Sequence, residues 1–401
     1  MVIAVICGGG NGAHVCAGIT SSQPGVEARV LTLFADEAER WANATKDHDF
    51  TVTLHAANKD PVKLVSKPSM VTKDPAEAMR GNVDIIVFTV PAFAHKNYLE
   101  QLKPYVKPGM ILAGCPGQAG FEFAVRGIWG ELALKVSVMS FESLPWACRV
   151  LEFGRAAEVL GTKATLVGAV TECTPKPSSD PTATLQKVLG DAPKLVVKGH
   201  LLGITLMGTN GYLHPSIMYG TWHKWDGKPL KEVPVFYNGL DEFSAKLLSD
   251  ISDEVVATAK AIMKQRPQVD LNNVSHILQW YHRCYADDIE DKGSLYTCIK
   301  TNRAYKGLPH PMTKRDDGSY VPNFGYRYLT EDIPFGLVVM RGIATIAGVP
   351  TPNIDTIINW AQKLLGKEYL VDGELKGKDL PESRCPQRYG LASLDTILGL
   401  A

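Results

Sequence analysis

The chain of 401 residues contains no Cys-x-x-Cys pair: its eight cysteines, Cys7, Cys16, Cys115, Cys148, Cys173, Cys284, Cys298 and Cys385, stand far apart. That spacing writes neither a zinc cage nor a redox dithiol, and the thiols read as reduced. An excess of charge of one sign is also missing, since 42 Lys and Arg balance 42 Asp and Glu. Without a basic face, nucleic acid and anionic membranes are excluded as partners. No apolar run approaches the roughly 20 residues of a membrane helix. Met1 to Cys7 (MVIAVIC) enters glycines with no basic segment and no cleavage signal, so it reads as a buried strand rather than a leader. A Gly-x-Ser-x-Gly elbow is absent, which removes hydrolases built on it. His276 and His282 are six apart, off any common helix face that could hold a metal. What remains is a cytoplasmic protein that works on small molecules without a metal.

Ordinary globular composition, 45% hydrophobic and 21% charged, makes 401 residues long enough for two or three domains. In the first half, strand-like and helix-like segments alternate. Val2 to Cys7, Glu27 to Phe34, Val83 to Val90, Met110 to Ala113, Lys135 to Met139 and Thr165 to Val170 are near-continuous apolar runs, as in strands covered on both faces. Ala13 to Ser21 and Asp36 to Thr45 read as helices between them, so the pattern is βαβ and the sheet parallel and doubly wound. After the last strand-like run, KLVV, the period becomes helical. Glu242 to Lys264 and Ile354 to Leu365 repeat apolar residues every three or four positions. The expectation is an α/β Rossmann domain over 1–199 and an all-helical domain over 200–401.

The loop Gly8-Gly9-Gly10-Asn11-Gly12-Ala13 follows the first strand and opens the first helix. Gly8, Gly10 and Ala13 fit GxGxxG/A: the first makes the turn, the second lets backbone approach a pyrophosphate, the third packs helix on strand. Dinucleotide binding is the expectation. At the end of the second strand, Phe34-Ala35-Asp36-Glu37 offers an acid for the adenosine ribose, although Asp36 and Glu37 could equally serve the dipole of the following helix. The nearest base is Arg40, so NAD is preferred over NADP.

In the second half, His214 precedes Pro215, which suits the first turn of a helix and would leave His214 just outside its N-terminus. By spacing alone His214 stands hardly above His95, His223, His276 or His282 as an acid/base. Arg327, between two tyrosines in a stretch fenced by Pro322 and Pro334 and read as a loop, could clamp a carboxylate or form a surface ion pair.

Together the blocks GGGNGAH (8–14), LTLFADEAERW (31–41), TVPAFAH (89–95), QAGFEF (118–123), SFESLPWACR (140–149), HP (214–215), RYLTEDIP (327–334) and GKEYLVDG (366–373) resemble the opine dehydrogenases of marine invertebrates. The likeness runs in register from about residue 2 to Tyr389. It implies NADH-dependent reductive condensation of pyruvate with an amino acid during anaerobic glycolysis, and a helical domain that closes over the substrates. By the same resemblance His214 is the catalytic histidine, Asp332 its orienting carboxylate and Arg327 the holder of the pyruvate carboxylate. Gln118 and Ser143 fall in the keto-acid pocket, where better-known members have Gln and Thr; Cys148 falls near the cofactor, and Glu142 and Trp280 in the substrate pocket.

At Gly208 this sequence departs from the family, whose members carry a larger side chain there against the amino acid. That favours a small amine such as alanine, glycine, β-alanine or taurine over arginine. The oligomeric state is not written in the sequence, and a monomer is compatible with it. Dehydrogenases of 2-hydroxy acids or sugar phosphates share the general architecture, and a non-catalytic NAD sensor would keep the loop without needing His214.

Overall fold

The computed structural model describes residues 1–56 and 59–400. The chain divides into two compact units, Met1–Ile204 and Thr205–Ala401. The break falls inside the short helix Leu201–Leu206.

In the first unit the strands are β1 (Val2–Cys7), β2 (Val26–Leu31), β3 (Thr51–Ala56), β4 (Lys59–Val65), β5 (Met70–Thr72), β6 (Ile85–Phe88), β7 (Ile111–Gly114), β8 (Ser137–Phe141), β9 (Trp146–Glu152), β10 (Ala156–Thr162), β11 (Thr165–Val170) and β12 (Lys194–Val197). Eight form one sheet in the order β12-β11-β8-β7-β6-β1-β2-β5. The six strands from β5 to β8 pair in parallel, which is the expected doubly wound Rossmann arrangement. Ala4 to Cys7 and Ile85 to Phe88 have no exposed surface, the reason these strands read as unbroken apolar runs. Beyond β8 the sheet is extended by β11, which joins β8 antiparallel and carries β12 with it.

The strand order reverses at β1, flanked by β2 on one side and β6 on the other. A crevice at the carboxyl ends of such strands is where this architecture binds ligands.

A second sheet, β4-β3-β10-β9, was not legible in the sequence. It packs on α1 (Asn11–Ser21) and α2 (Glu37–Lys46) through Trp41, Phe50, Val52, Cys148, Ala157 and Val159, which share one core with Val15 and Ile19. A Cβ on Gly18 of α1 would stand 2.3 Å from Val52 Cγ2, so a larger residue would force the helix off the sheet.

The second unit is mainly helical but not wholly so. Asn210–Trp222, Glu242–Gln265, Ile277–Cys284, Val338–Ala347 and Pro352–Leu365 are its longer helices. Two small hairpins, Met312–Lys314 with Tyr320–Pro322 and Leu370–Val371 with Glu374–Leu375, accompany the helices. Glu254, on the 24-residue helix, caps the Pro352–Leu365 helix by accepting from Asn353 N–H at 2.8 Å and Ile354 N–H at 3.1 Å. That places a carboxylate on the positive end of the helix dipole.

Candidate active site

The glycine loop is fixed from both sides. Gly8 N–H donates to Leu31 O at 2.9 Å at the end of β2, and Thr89, just after β6, donates its N–H and its hydroxyl to Cys7 O. Gly8 has φ +129°, and a Cβ there would stand 2.8 Å from Val90 Cγ1. Gly10 is the N-cap of α1; it offers no side-chain acceptor, the first turn holds no acid, and a Cβ on Gly10 would meet nothing within 4 Å. Backbone N–H groups and the helix dipole therefore face a space that an anion can enter. By contrast, Asp74, Asp180 and Asp241 cap their own helices with side-chain oxygens.

The loop is braced from below. The Asn11 side-chain oxygen accepts from Val150 N–H of β9 at 2.9 Å, so that group holds the loop to the second sheet. His14 accepts from Gly154 N–H at Nε2, which puts its proton on Nδ1, where it donates to Gly10 O; both contacts are 3.0 Å. Stacked 3.7 Å from the Trp41 ring, His14 is buried and its pKa falls to about 4, so it is neutral.

Of the two acids at the end of β2, Asp36 is exposed and pairs with Arg40 at 3.1 Å. Glu37 turns toward the loop: its Oε2 accepts from the Thr32 hydroxyl at 2.6 Å and stands 1.9 Å from where a Cβ on Gly9 would be. Glu37 is thus the acid beside the glycines. Phe34 is 73% exposed, and Ala35 sits in the left-handed region at φ +42°. Glycine, acid and open helix end fit a dinucleotide.

Further along the first unit, Gln118 also adopts the left-handed region, at φ +61°. Glu142 and Ser143 follow β8, and the Ser143 Oγ is buried with no hydrogen-bond partner among the described residues. Such a hydroxyl is either a cost or a ligand contact. Cys148 lies in the core of β9, its thiol pushed up to about 11 by burial, so it is a neutral side chain rather than a nucleophile.

In the second unit His214 is not outside a helix. It lies within Asn210–Trp222, and Pro215 is an interior proline. The missing N–H leaves the Gly211 carbonyl without its helical donor, and at this point the helix meets another backbone: a Cβ on Gly336 would stand 2.6 Å from Gly211 Cα. Two glycines at one crossing allow that approach. His214 is 4% exposed, and its Nδ1–H donates to Asp332 Oδ2 at 2.8 Å. Burial pushes the Asp332 carboxyl up, and the attraction of His214 opposes it. The remaining nitrogen, Nε2, is 2.7 Å from the Tyr237 hydroxyl, while Tyr328 stacks on the imidazole at 4.0 Å.

The segment read as a loop is helical. Arg327–Thr330 forms one turn, and Asp332 caps a π-helical turn, Ile333–Leu337, that runs into Val338–Ala347. This winding turns Asp332 inward and Arg327 outward. Arg327 is paired not with Asp332 but with Glu331, Nε to Oε2 at 3.3 Å; its side chain is 54% exposed and Glu331 is buried. Trp280, half-buried on Ile277–Cys284, meets Tyr281 and Tyr285 edge-on. Gly208 lies in the turn ahead of the His214 helix, its carbonyl accepting from Gly211 N–H at 2.9 Å.

Tyr237, Tyr328 and Glu331 were missed by sequence reasoning. The signals were present, since Tyr328 and Glu331 stand beside Arg327 and Asp332 in the RYLTEDIP block, but Tyr237 carries no motif. Among the described residues no group of three His, Cys, Asp or Glu could hold a metal, and no helix is long and apolar enough to cross a membrane.

A family model described as NAD/NADP octopine/nopaline dehydrogenase, alpha-helical domain, matches residues 197–365. Tauropine dehydrogenase of Arabella iricolor is 58% identical over 398 residues, covering 99% of this chain and 100% of the relative. A solved structure of octopine dehydrogenase with NADH and L-arginine superposes with TM-score 0.96 at 48% identity, covering 100% of this chain and 98% of the other. Another, with NADH and pyruvate, gives 0.93 at 47% identity with the same coverage. The chain belongs to the opine dehydrogenase family, NAD-dependent oxidoreductases acting on a CH–NH bond.

Proposed function

We propose that the chain condenses pyruvate with the amino group of a small amino acid or taurine and reduces the product with NADH, giving an N-(1-carboxyethyl) amino acid. The observation that carries this reading is the buried His214–Asp332 pair, with Arg327 exposed one helical turn from Asp332. Pyruvate and NADH are bound by the solved octopine dehydrogenase. The preference for a small amine rests on the missing side chain at Gly208 and on the higher identity to tauropine dehydrogenase. Eight free thiols fit a cytoplasmic working place.

The amine attacks the keto carbon as its free base, and the carbinolamine must then gain a proton to expel water. Charged His214 gives that proton and regains one from the medium. His214 suits the task because imidazole changes charge near neutrality. Nδ1 is committed to Asp332, so Nε2 is the nitrogen that exchanges the proton. Arg327 grips the pyruvate carboxylate through its planar fork. Gln118 and Ser143 supply polar contacts to the keto acid, with Glu142 and Trp280 toward the amine. Gly8 to Ala13 and Glu37 hold the cofactor, with Phe34, Ala35 and Cys148 beside it. NADH, when bound, supplies the hydride that reduces the imine carbon.

A panel of amines with pyruvate, followed by loss of NADH absorbance, tests the reading. Turnover should require an amine and be faster with taurine, alanine, glycine or β-alanine than with arginine. NADH consumption with pyruvate alone would instead mark a hydroxy-acid dehydrogenase, and no turnover with any amine would mark a binding protein.

A further inference from the structure

The mechanism uses Nε2 of His214, yet in this structure that nitrogen is already engaged. The Tyr237 hydroxyl lies 2.7 Å away. Because Nδ1–H is spent on Asp332, a neutral His214 has a lone pair at Nε2, and Tyr237 donates to it. When the ring is charged the direction reverses, and Nε2–H donates to the tyrosine oxygen.

Tyr237 is well held for this. It stacks on Tyr305 at 4.1 Å, the preceding N–H of Phe236 donates to Leu308 O at 2.8 Å, and the following side chain, Asn238, donates to Ile299 O and Lys300 O. Burial, reinforced by the neighbouring Tyr328 hydroxyl, pushes the Tyr237 phenol far up, so it remains a neutral O–H throughout the working range. Tyr328 also gives that O–H somewhere to turn when its oxygen accepts from a charged His214.

The other charged and titratable groups around the ring are few. Asp332 faces Nδ1, Tyr328 covers the ring face, and Glu331 and Arg327 act on Asp332. Glu254, on the long helix packed against the His214 helix, is occupied in capping Pro352–Leu365.

We propose that Tyr237 is a positioning residue that sets the charge balance of His214, filling the Nε2 hydrogen bond in both protonation states until the substrate takes its place there, and favouring the imidazolium. The bias follows from strength: a hydrogen bond from a charged donor is about twice as strong as a neutral one. A buried N–H⁺ left without an acceptor also costs more than an unfilled lone pair. The inference rests on His214 being the proton carrier.

The test is Tyr237→Phe, which keeps the ring stack and removes only the hydroxyl. Rates of reductive condensation and of opine oxidation are measured against pH, and the His214 ring is followed by NMR in the same samples. The alkaline limb of condensation and the acid limb of oxidation should both move to lower pH by about one unit, a tenfold change in proton affinity, and the NMR titration should move with them. NADH affinity and unfolding temperature should match the parent, which shows that the variant is folded. A uniform loss of rate with both limbs and the NMR titration unmoved would overturn the proposal, as would a shift to higher pH. If instead the parent condenses pyruvate with amines but His214→Ala does so equally well, the proton-carrier reading fails rather than the role of Tyr237.

Discussion

Replacing Asp332 with Asn separates charge from shape at the buried pair. The amide oxygen can still accept from His214 Nδ1–H across the present 2.8 Å, so geometry is nearly kept and the negative charge is lost. Taking the charge centres about 4 Å apart and an effective dielectric near 20, the attraction lost to the imidazolium is about 4 kcal/mol. At roughly 1.4 kcal/mol per factor of ten, that is up to about a thousandfold in the charged form at neutral pH. The Asn amide offers part of a compensating contact, so the expected fall in kcat for condensation is about 10² to 10³. The sign with pH follows directly: without the carboxylate the ring holds its proton less firmly, so the lost rate should return as the medium is acidified. The assay is NADH absorbance with saturating pyruvate and amine between pH 5 and 9, with NADH binding by fluorescence as the control for folding. A loss of less than tenfold, or one that acid does not relieve, would refute the electrostatic role assigned to Asp332.

Arg327→Ala should raise KM for pyruvate by about 100-fold or more while leaving NADH affinity unchanged, because charge-assisted bidentate bonds are worth several kcal/mol when water is excluded; equal weakening of both ligands in steady-state kinetics would count against the clamp. Gly10→Ala should cut NADH affinity in fluorescence titration without lowering Tm, since the new methyl enters open space that phosphate must approach. Gly9→Ala should weaken NADH with little loss of Tm, because its methyl pushes aside the Glu37 carboxylate, the movable end of its side chain, and so displaces the acid beside the glycine loop. His14 and His310 are buried rings whose pKa values fall to about 4 from 6.5. Below pH 6.5 the unfolded chain takes up protons that these rings refuse, so stability present above that pH is lost as pH falls toward 4, by about 3 kcal/mol for each ring. Urea unfolding at pH 7 and pH 4 measures this, and His14→Gln should flatten the profile.

Much of the first unit was legible because its signals are local. Unbroken apolar runs mark strands buried on both faces, and a glycine loop one strand from the start marks a dinucleotide turn whatever surrounds it. The β3, β4, β9 and β10 sheet was not legible: its strands are half-exposed, with burial alternating along β10, and Lys59–Val65 even holds Pro61. Such weakly amphipathic segments pair because α1 and α2 need a cover, a fact that exists only once the chain is folded.

The candidate site divides along the same line. The order of residues in RYLTEDIP carried Arg327 and Asp332 as a pair of functional types, but read as a loop it could not tell which would face inward. Helical winding decided that, turning Asp332 onto His214 and leaving Arg327 beside Glu331. His214 looked like a residue ahead of a helix because proline usually opens one, whereas the Gly211–Gly336 crossing lets the helix run through Pro215. Sequence by itself determined the chemistry available, an imidazole, a carboxylate, a guanidinium and a phosphate-binding turn. Only the tertiary structure decided which oxygen meets which nitrogen, and brought Tyr237 to Nε2 from 23 positions along the chain, because a hydrogen bond depends on distance and direction and no spacing in a sequence encodes either.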